Sequence, residues 1–327
     1  MAQYDPGTKA KSEKQDTAAL QKSKPAAKES IAEPPPGPIV QMIRVDRIFI
    51  IPAAWFSAAL FILPVYADSP AQAGSISVVS ISGTTDSDDG SDYCLDANVA
   101  LPEQRRLILS LGQLFIKSTE TGRVIEPLTG LIGLETDSEA KIPLGVELEY
   151  WDDQESINVK TLRGTLGYRF DKVDITFKPQ FREFNFNAKV TRESSSEGFS
   201  VNIGAQMLGN VYVYGEYGKH YYSQILLDFA DLILGFDYAR LKLVNSVGFS
   251  DYIYTLGGSV YLAWGGLSGY WIHSVSAVDQ SNTYSYGATV DIDILRDFSL
   301  GISLGTQTTE QEYADFVYGT LALSYYW

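Results

Sequence analysis

The stretch Tyr284–Ile294, YSYGATVDIDI, alternates without a break. Tyr284, Tyr286, Ala288, Val290, Ile292 and Ile294 fall on one side, with Ser285, Gly287, Thr289, Asp291 and Asp293 on the other. Successive side chains of a strand project to opposite faces, so this period of two excludes a helix, whose apolar positions recur every three or four residues. Arg296–Asp297 reads as a turn, and FSLGISLG (298–305) resumes the pattern with Phe298, Leu300, Ile302 and Leu304 against Ser299, Gly301, Ser303 and Gly305. Two alternating runs joined by a short polar turn are a hairpin.

The same alternation spreads outward from this hairpin. FSVNIGAQML (199–208) sets Phe199, Val201, Ile203, Ala205 and Met207 against Ser200, Asn202, Gly204 and Gln206. YIYTLGGSVYLAW (252–264) separates Tyr252, Tyr254, Leu256, Gly258, Val260, Leu262 and Trp264 from Thr255, Gly257, Ser259 and Ala263. The closing TLALSYYW (320–327) puts Leu321, Leu323, Tyr325 and Trp327 on one face. Beyond Gly74 no amphipathic helix of useful length is found. An all-β chain of this kind is a soluble sandwich or barrel with its apolar face inside, or a membrane barrel with that face outside. Tyr and Trp stand repeatedly at the ends of the apolar rows, where two membrane interfaces need aromatic girdles.

Composition narrows the function classes. The chain has 327 residues with 21 Tyr and 28 Gly, but one Cys and two His. Cys94 alone excludes an internal disulfide framework, and no clustered Cys/His set could hold structural zinc. A formal charge of −15 leaves no basic surplus for phosphates, which argues against a nucleic-acid binder.

Residues 1–41, rich in Lys, Glu, Ala, Ser and Pro without apolar period, read as a disordered extension. Residues 42–73 read as a secretory signal peptide rather than a permanent transmembrane helix. Arg44 and Arg47 give the basic start, Ile48 to Tyr66 the apolar run broken by Pro52 and Pro64, and Ala67 and Ala73 the cleavage positions. Met42 stands where such a signal should begin and is taken as the true start. Residues 74–327 are then the exported domain.

In its signal peptide, its aromatic placement and its aromatic C-terminus the chain resembles bacterial outer-membrane β-barrel proteins of the porin type. The resemblance is specific for the class and reaches no named family. It implies that Leu321, Leu323, Tyr325 and Trp327 form the insertion signal read by the barrel-assembly machinery. It also implies a Gram-negative outer membrane, contact with its lipids and lipopolysaccharide, small hydrophilic solutes as cargo, and homo-oligomers of the kind porins form. Barrels of this class return both ends to the periplasm, with tight turns there and longer loops outside. Tight connections at 102–104, 137–141, 171–172, 209–210, 239–240, 265–266 and 296–297 alternate with longer polar ones, among them RESSSEG (192–198), which predicts about 16 strands. Because residues 75–134 alternate poorly, about 12 strands after a periplasmic segment is the alternative.

Residues of the polar parity should line the lumen. Arg163, Arg169, Lys178 and Arg182 form a basic set on two neighbouring strands, and Asp291 and Asp293 an acidic set nearly opposite. Facing walls of opposite sign would create a transverse field that orients polar solutes; the alternative is local pairing, Arg163 with Glu147 or Glu149. The small residues Ser285, Gly287, Ser299, Gly301, Ser303, Gly257 and Ser259 should leave space for water, since barrels of 16 to 18 strands enclose a channel.

No catalytic site is read. His273 and Ser274 are adjacent on a strand and point to opposite faces. His220 shares an inward face with Glu216, which reads as two polar lining residues. No nucleophile elbow, HExxH helix or phosphate loop occurs. Asp86, Asp88, Asp89 and Asp92 are a weak Ca²⁺ candidate that fails the EF-hand spacing and reads as a solvated acidic loop. The expected function is passive diffusion with no cofactor. A non-conducting structural or display barrel is the runner-up, and a lipid-modifying outer-membrane enzyme comes third.

Overall fold

The computed structural model describes residues 76–87, 90–117, 124–136, 140–154, 157–187, 191–223, 249–278, 280–310 and 315–327. Among them the chain forms β1 (Val78–Asp86), β2 (Ser91–Leu101), β3 (Arg105–Lys117), β4 (Val124–Ile125), β5 (Leu128–Thr136), β6 (Leu144–Asp152), β7 (Ile157–Arg169) and β8 (Val173–Asn187). There follow β9 (Thr191–Leu208), β10 (Val211–Tyr222), β11 (Ser250–Leu262), β12 (Gly265–Ser276), β13 (Asn282–Leu295), β14 (Phe298–Thr309) and β15 (Phe316–Tyr326). The two-residue β4 pairs only with the tip of β3. The other 14 strands pair antiparallel in chain order, and β15 returns to β1, so the sheet closes on itself.

Which face is outside follows from β6. Leu144, Val146, Leu148 and Tyr150 are 48, 47, 55 and 43% exposed, whereas the Glu147 and Glu149 side chains between them are 13 and 12% exposed. Water would reward the opposite arrangement. A closed sheet with leucines outside and carboxylates inside is matched to lipid, because closure satisfies every backbone group and leaves no edge. The chain is a transmembrane β-barrel. Six connections lie at the end that carries both chain ends, and the longest connection, between Tyr222 and Ser250, lies at the other. We call these the turn end and the loop end.

The strand count corrects the expectation of about 16. That reading placed strands on both sides of Ala239–Arg240, but β10 and β11 are direct neighbours from Val211↔Val260 to Lys219↔Tyr252. Nothing intervenes between them, and residues 224–248 lie outside the described ones. RESSSEG, expected as a loop, belongs to β9, where Ser194 and Ser196 are buried. The turn expected at Gly265–Gly266 is at Ala263–Trp264 instead. The 12-stranded alternative fails too, because β1 and β2 complete the closure between β15 and β3. These early strands alternate poorly since Ile108, Leu114 and Leu131 share the inward face with Arg106, Ser110 and Glu135. The extension 1–41, the start at Met42, the signal peptide 42–73 and the acidic pair Asp88 and Asp89 lie outside the described residues.

Candidate functional site

The lumen wall divides into a charged half and a neutral half. Across β3 to β10 the ladders bring Arg106, Arg163, Arg169, Lys178 and Arg182 onto the inward face together with Glu135, Glu147, Glu149, Asp174 and Glu216. Cations and carboxylates are thus interspersed on the inward face of this sector. Arg163 spans two of them, at 2.7 Å from Glu147 and 2.9 Å from Glu149. Arg106 lies 2.9 Å from Glu135. Asp174 accepts from the Tyr212 hydroxyl at 3.1 and 3.2 Å. The local pairing weighed from the sequence is therefore what Arg163 makes, and the basic set stands among carboxylates rather than as a uniform wall.

Burial deepens along this half toward the loop end. Arg169 and Lys178 are half-buried, while Arg182 is 5% exposed with the Gln180 amide against its guanidinium. Thr161, Ser196 and His220 are also buried, His220 over Gly198. Above them Trp151, Ile157, Val159, Phe184 and Phe186 point inward and are fully buried. Phe249 stacks on Phe184 at 5.1 Å and on Phe186 at 6.3 Å. Burying these rings excludes water from the loop-end part of this half. The sequence carried a signal for this packing: Phe184 and Phe186 share parity with Arg182, so they are apolar residues in a charged row.

The neutral half runs from β10 through β15 to β1. One row of directly paired inward residues is Tyr214, Gly257, Tyr270, Gly287, Gly305 and Tyr318. The next row toward the turn end is Tyr212, Ser259, Ser268, Thr289, Ser303, Thr320 and Thr84. Thr289 and Ser303 hydrogen-bond at 2.8 Å, Thr84 and Thr320 at 2.9 Å. Asp291 and Asp293 follow at the turn end, exposed, opposite Gly301 and Ser299.

The small residues of this half do not simply leave space. A Cβ on Gly257 would sit 2.5 Å from the Tyr214 hydroxyl, and one on Gly287 would sit 2.6 Å from the Tyr270 ring. Each tyrosine leans along the wall into the gap its neighbour provides and covers the glycine backbone there. Tyr270 and Tyr318 meet hydroxyl to hydroxyl.

The remaining sequence candidates fall as follows. Leu321, Leu323, Tyr325 and Trp327 share the outer face, where Tyr325 stacks on Trp327 at 5.9 Å. His273 is also on that face, stacked on Tyr284 at 4.7 Å with Nε2 2.9 Å from Asn282, so it does not face Ser274. Glu216 lies in the lumen between Asn202 and Thr255, on the face of His220. Asp86 accepts a hydrogen bond from the Gly90 amide at 2.7 Å, and no group of metal-holding side chains occurs among the described residues.

No family model matches the chain, and no curated protein does. The solved structures it resembles include an anion-selective porin from Comamonas acidovorans (TM-score 0.42, 8% identity, 77% of this chain and 99% of that one). A BenF-like porin from Pseudomonas fluorescens Pf-5 gives 0.40 at 7% identity, over 76% and 97%. The Pseudomonas aeruginosa protein OccK11 gives 0.40 at 8% identity, over 77% and 94%. None of these likenesses assigns a role to a residue.

Proposed function

We propose that the chain is an outer-membrane channel of a Gram-negative bacterium through which small hydrophilic solutes diffuse passively. One observation carries this reading: 14 closed strands turn leucine and aromatic side chains outward while serine, threonine, tyrosine and charged side chains line the inside. Eight strands enclose only enough room for their own side chains, and the interior widens roughly linearly with strand number. The aromatic packing of the charged half directs the passage to the neutral half, which bears mostly hydroxyls and glycines. Selectivity at the turn end is then set by Asp291 and Asp293 against Arg169 and Lys178, while Arg163 and Arg182 act from deeper positions beside Glu147, Glu149 and Glu216. Outer-membrane lipids and lipopolysaccharide surround the belt, and Leu321, Leu323, Tyr325 and Trp327 are the segment offered to the assembly machinery.

Single-channel recording of the refolded protein in a planar bilayer tests this. Stable conductance steps and a defined reversal potential under a salt gradient are expected. A folded, inserted protein that passes no current would instead support a non-conducting structural barrel, a reading that the buried Phe184 and Phe186 packing would then explain.

A further inference from the structure

The neutral half of the lumen contains a band of tyrosines and glycines whose geometry specifies a solute. Directly paired residues on the inner face read Gly204, Tyr214, Gly257, Tyr270, Gly287, Gly305 and Tyr318 across seven consecutive strands, β9 to β15. Strands of membrane barrels tilt by about 35–45°, so a row at right angles to them climbs the wall. Its continuations show the span: Asp174 on β8 lies beside the turn at 170–172, and Asp86 on β1 borders the loop end. The band therefore crosses the lumen from one end toward the other.

Three of its seven positions are tyrosine and four are glycine; Tyr318 is buried, so the open rings are those nearer β10. Tyr214 and Tyr270 lean along the wall over Gly257 and Gly287, and both remain half-buried rather than sealed. Tyr212 joins them, stacked on Tyr214 with 6.3 Å between centroids. Immediately alongside runs the hydroxyl row of Ser259, Ser268, Thr289, Ser303, Thr320 and Thr84. From Gly204 to Tyr318, and from Tyr212 to Thr84, neither row holds a charged residue.

We propose that this band binds uncharged saccharides and guides them through the channel. A sugar ring offers what the two rows lack and need: a face of C–H groups, which suits the negative face of an aromatic ring, and a rim of hydroxyls. Ser and Thr hydroxyls both donate and accept, so they can exchange partners with a polyol at each step. Apolar and aromatic surface with a few convergent polar groups is the general composition of small-molecule sites. An anion would gain no counter-charge along either row, and the carboxylates flanking them, Glu216, Asp291 and Asp92, would repel it. This inference rests on the channel reading above and names its solute class.

The test titrates the ion current of the full chain in a planar bilayer with maltose, and in parallel with polyethylene glycol of equal hydrodynamic size. A saturable reduction by maltose that exceeds the effect of the polymer is expected. Tyr270→Leu should raise the half-blocking concentration about fivefold, the effect of one lost aromatic contact, whereas Tyr270→Phe should preserve it. Conducting channels on which maltose acts no more than the polymer would overturn the inference and leave the channel reading intact. Saturation-transfer NMR on the detergent-solubilised protein reads binding without current: transfer to maltose ring protons supports the band as a site even in a silent barrel, and its absence overturns it.

Discussion

Ser77 and Trp327 exchange two backbone hydrogen bonds, each of 3.1 Å, and so close the first strand of the barrel onto the last. The side chain of Trp327 stacks on Tyr325, which in turn packs on Phe298 at 4.8 Å. The last strand is thus the seam of the barrel, and it places a stack of aromatic rings at the turn end. Closure removes the two edges that an open sheet would expose to lipid.

Deleting Tyr326 and Trp327 should weaken that seam. The two hydrogen bonds to Ser77 are worth about 1–3 kcal/mol together, and the aromatic stack adds to them. Heat-modifiable migration on gels after refolding into lipid vesicles measures the folded fraction, which is expected to fall relative to the intact chain.

Arg163→Gln leaves Glu147 and Glu149 without their shared cation in a site that is 13 and 12% exposed at the two carboxylates. Breaking a buried pair from one side costs about 3–5 kcal/mol. The midpoint of urea unfolding should drop, and the reversal potential should move toward cation preference. A triple change that also converts Glu147 and Glu149 to Gln should recover most of the stability, because no charge is then stranded.

Asp291→Asn with Asp293→Asn should act on selectivity and hardly on stability, since both residues are exposed at the turn end of the neutral half. Removing two lumen anions reduces the local concentration of cations. Reversal potentials in a potassium chloride gradient should shift toward anions, more strongly at low ionic strength where screening is weaker.

Phe184→Ala opens the packing against Phe186 and Phe249 at the loop end. The cavity costs about 3–5 kcal/mol. Single-channel conductance should rise, because the ring that excludes water from the charged half is gone. Unchanged conductance with lowered stability would show that current never approaches this part of the wall.

Gly287→Val places new atoms where the Tyr270 ring lies, its Cβ 2.6 Å from the ring. Overpacking of this kind costs about 1–3 kcal/mol. Adding Tyr270→Ser should relieve it, and the coupling energy from the double-mutant cycle measures how firmly the pair is built.

What the sequence determined by itself was the class of fold and the parity of the later strands, while residues 75–134 alternate poorly. Period-two alternation fixes which residues share a face, so the outward Leu321, Leu323 and Tyr325 and the inward Ser299, Glu147 and Arg163 were all legible before any coordinates. Closure decided the rest. Strand number could not be counted from turns, because the strands expected on both sides of Ala239–Arg240 are absent from the ladder, where β10 pairs directly with β11; RESSSEG, a polar stretch that serves equally as a loop or as a lumen-facing strand, shifted only a boundary. Which lumen residues meet depends on register between strands far apart in the chain: the pairing of Arg163 with both Glu147 and Glu149, and the placement of Phe184 beneath Phe249, follow from it. So does the row that carries Tyr214, Gly257, Tyr270 and Gly287 side by side. Alternation is a property of one strand, written locally, whereas a row across a tilted barrel exists only when every neighbouring ladder has taken its register.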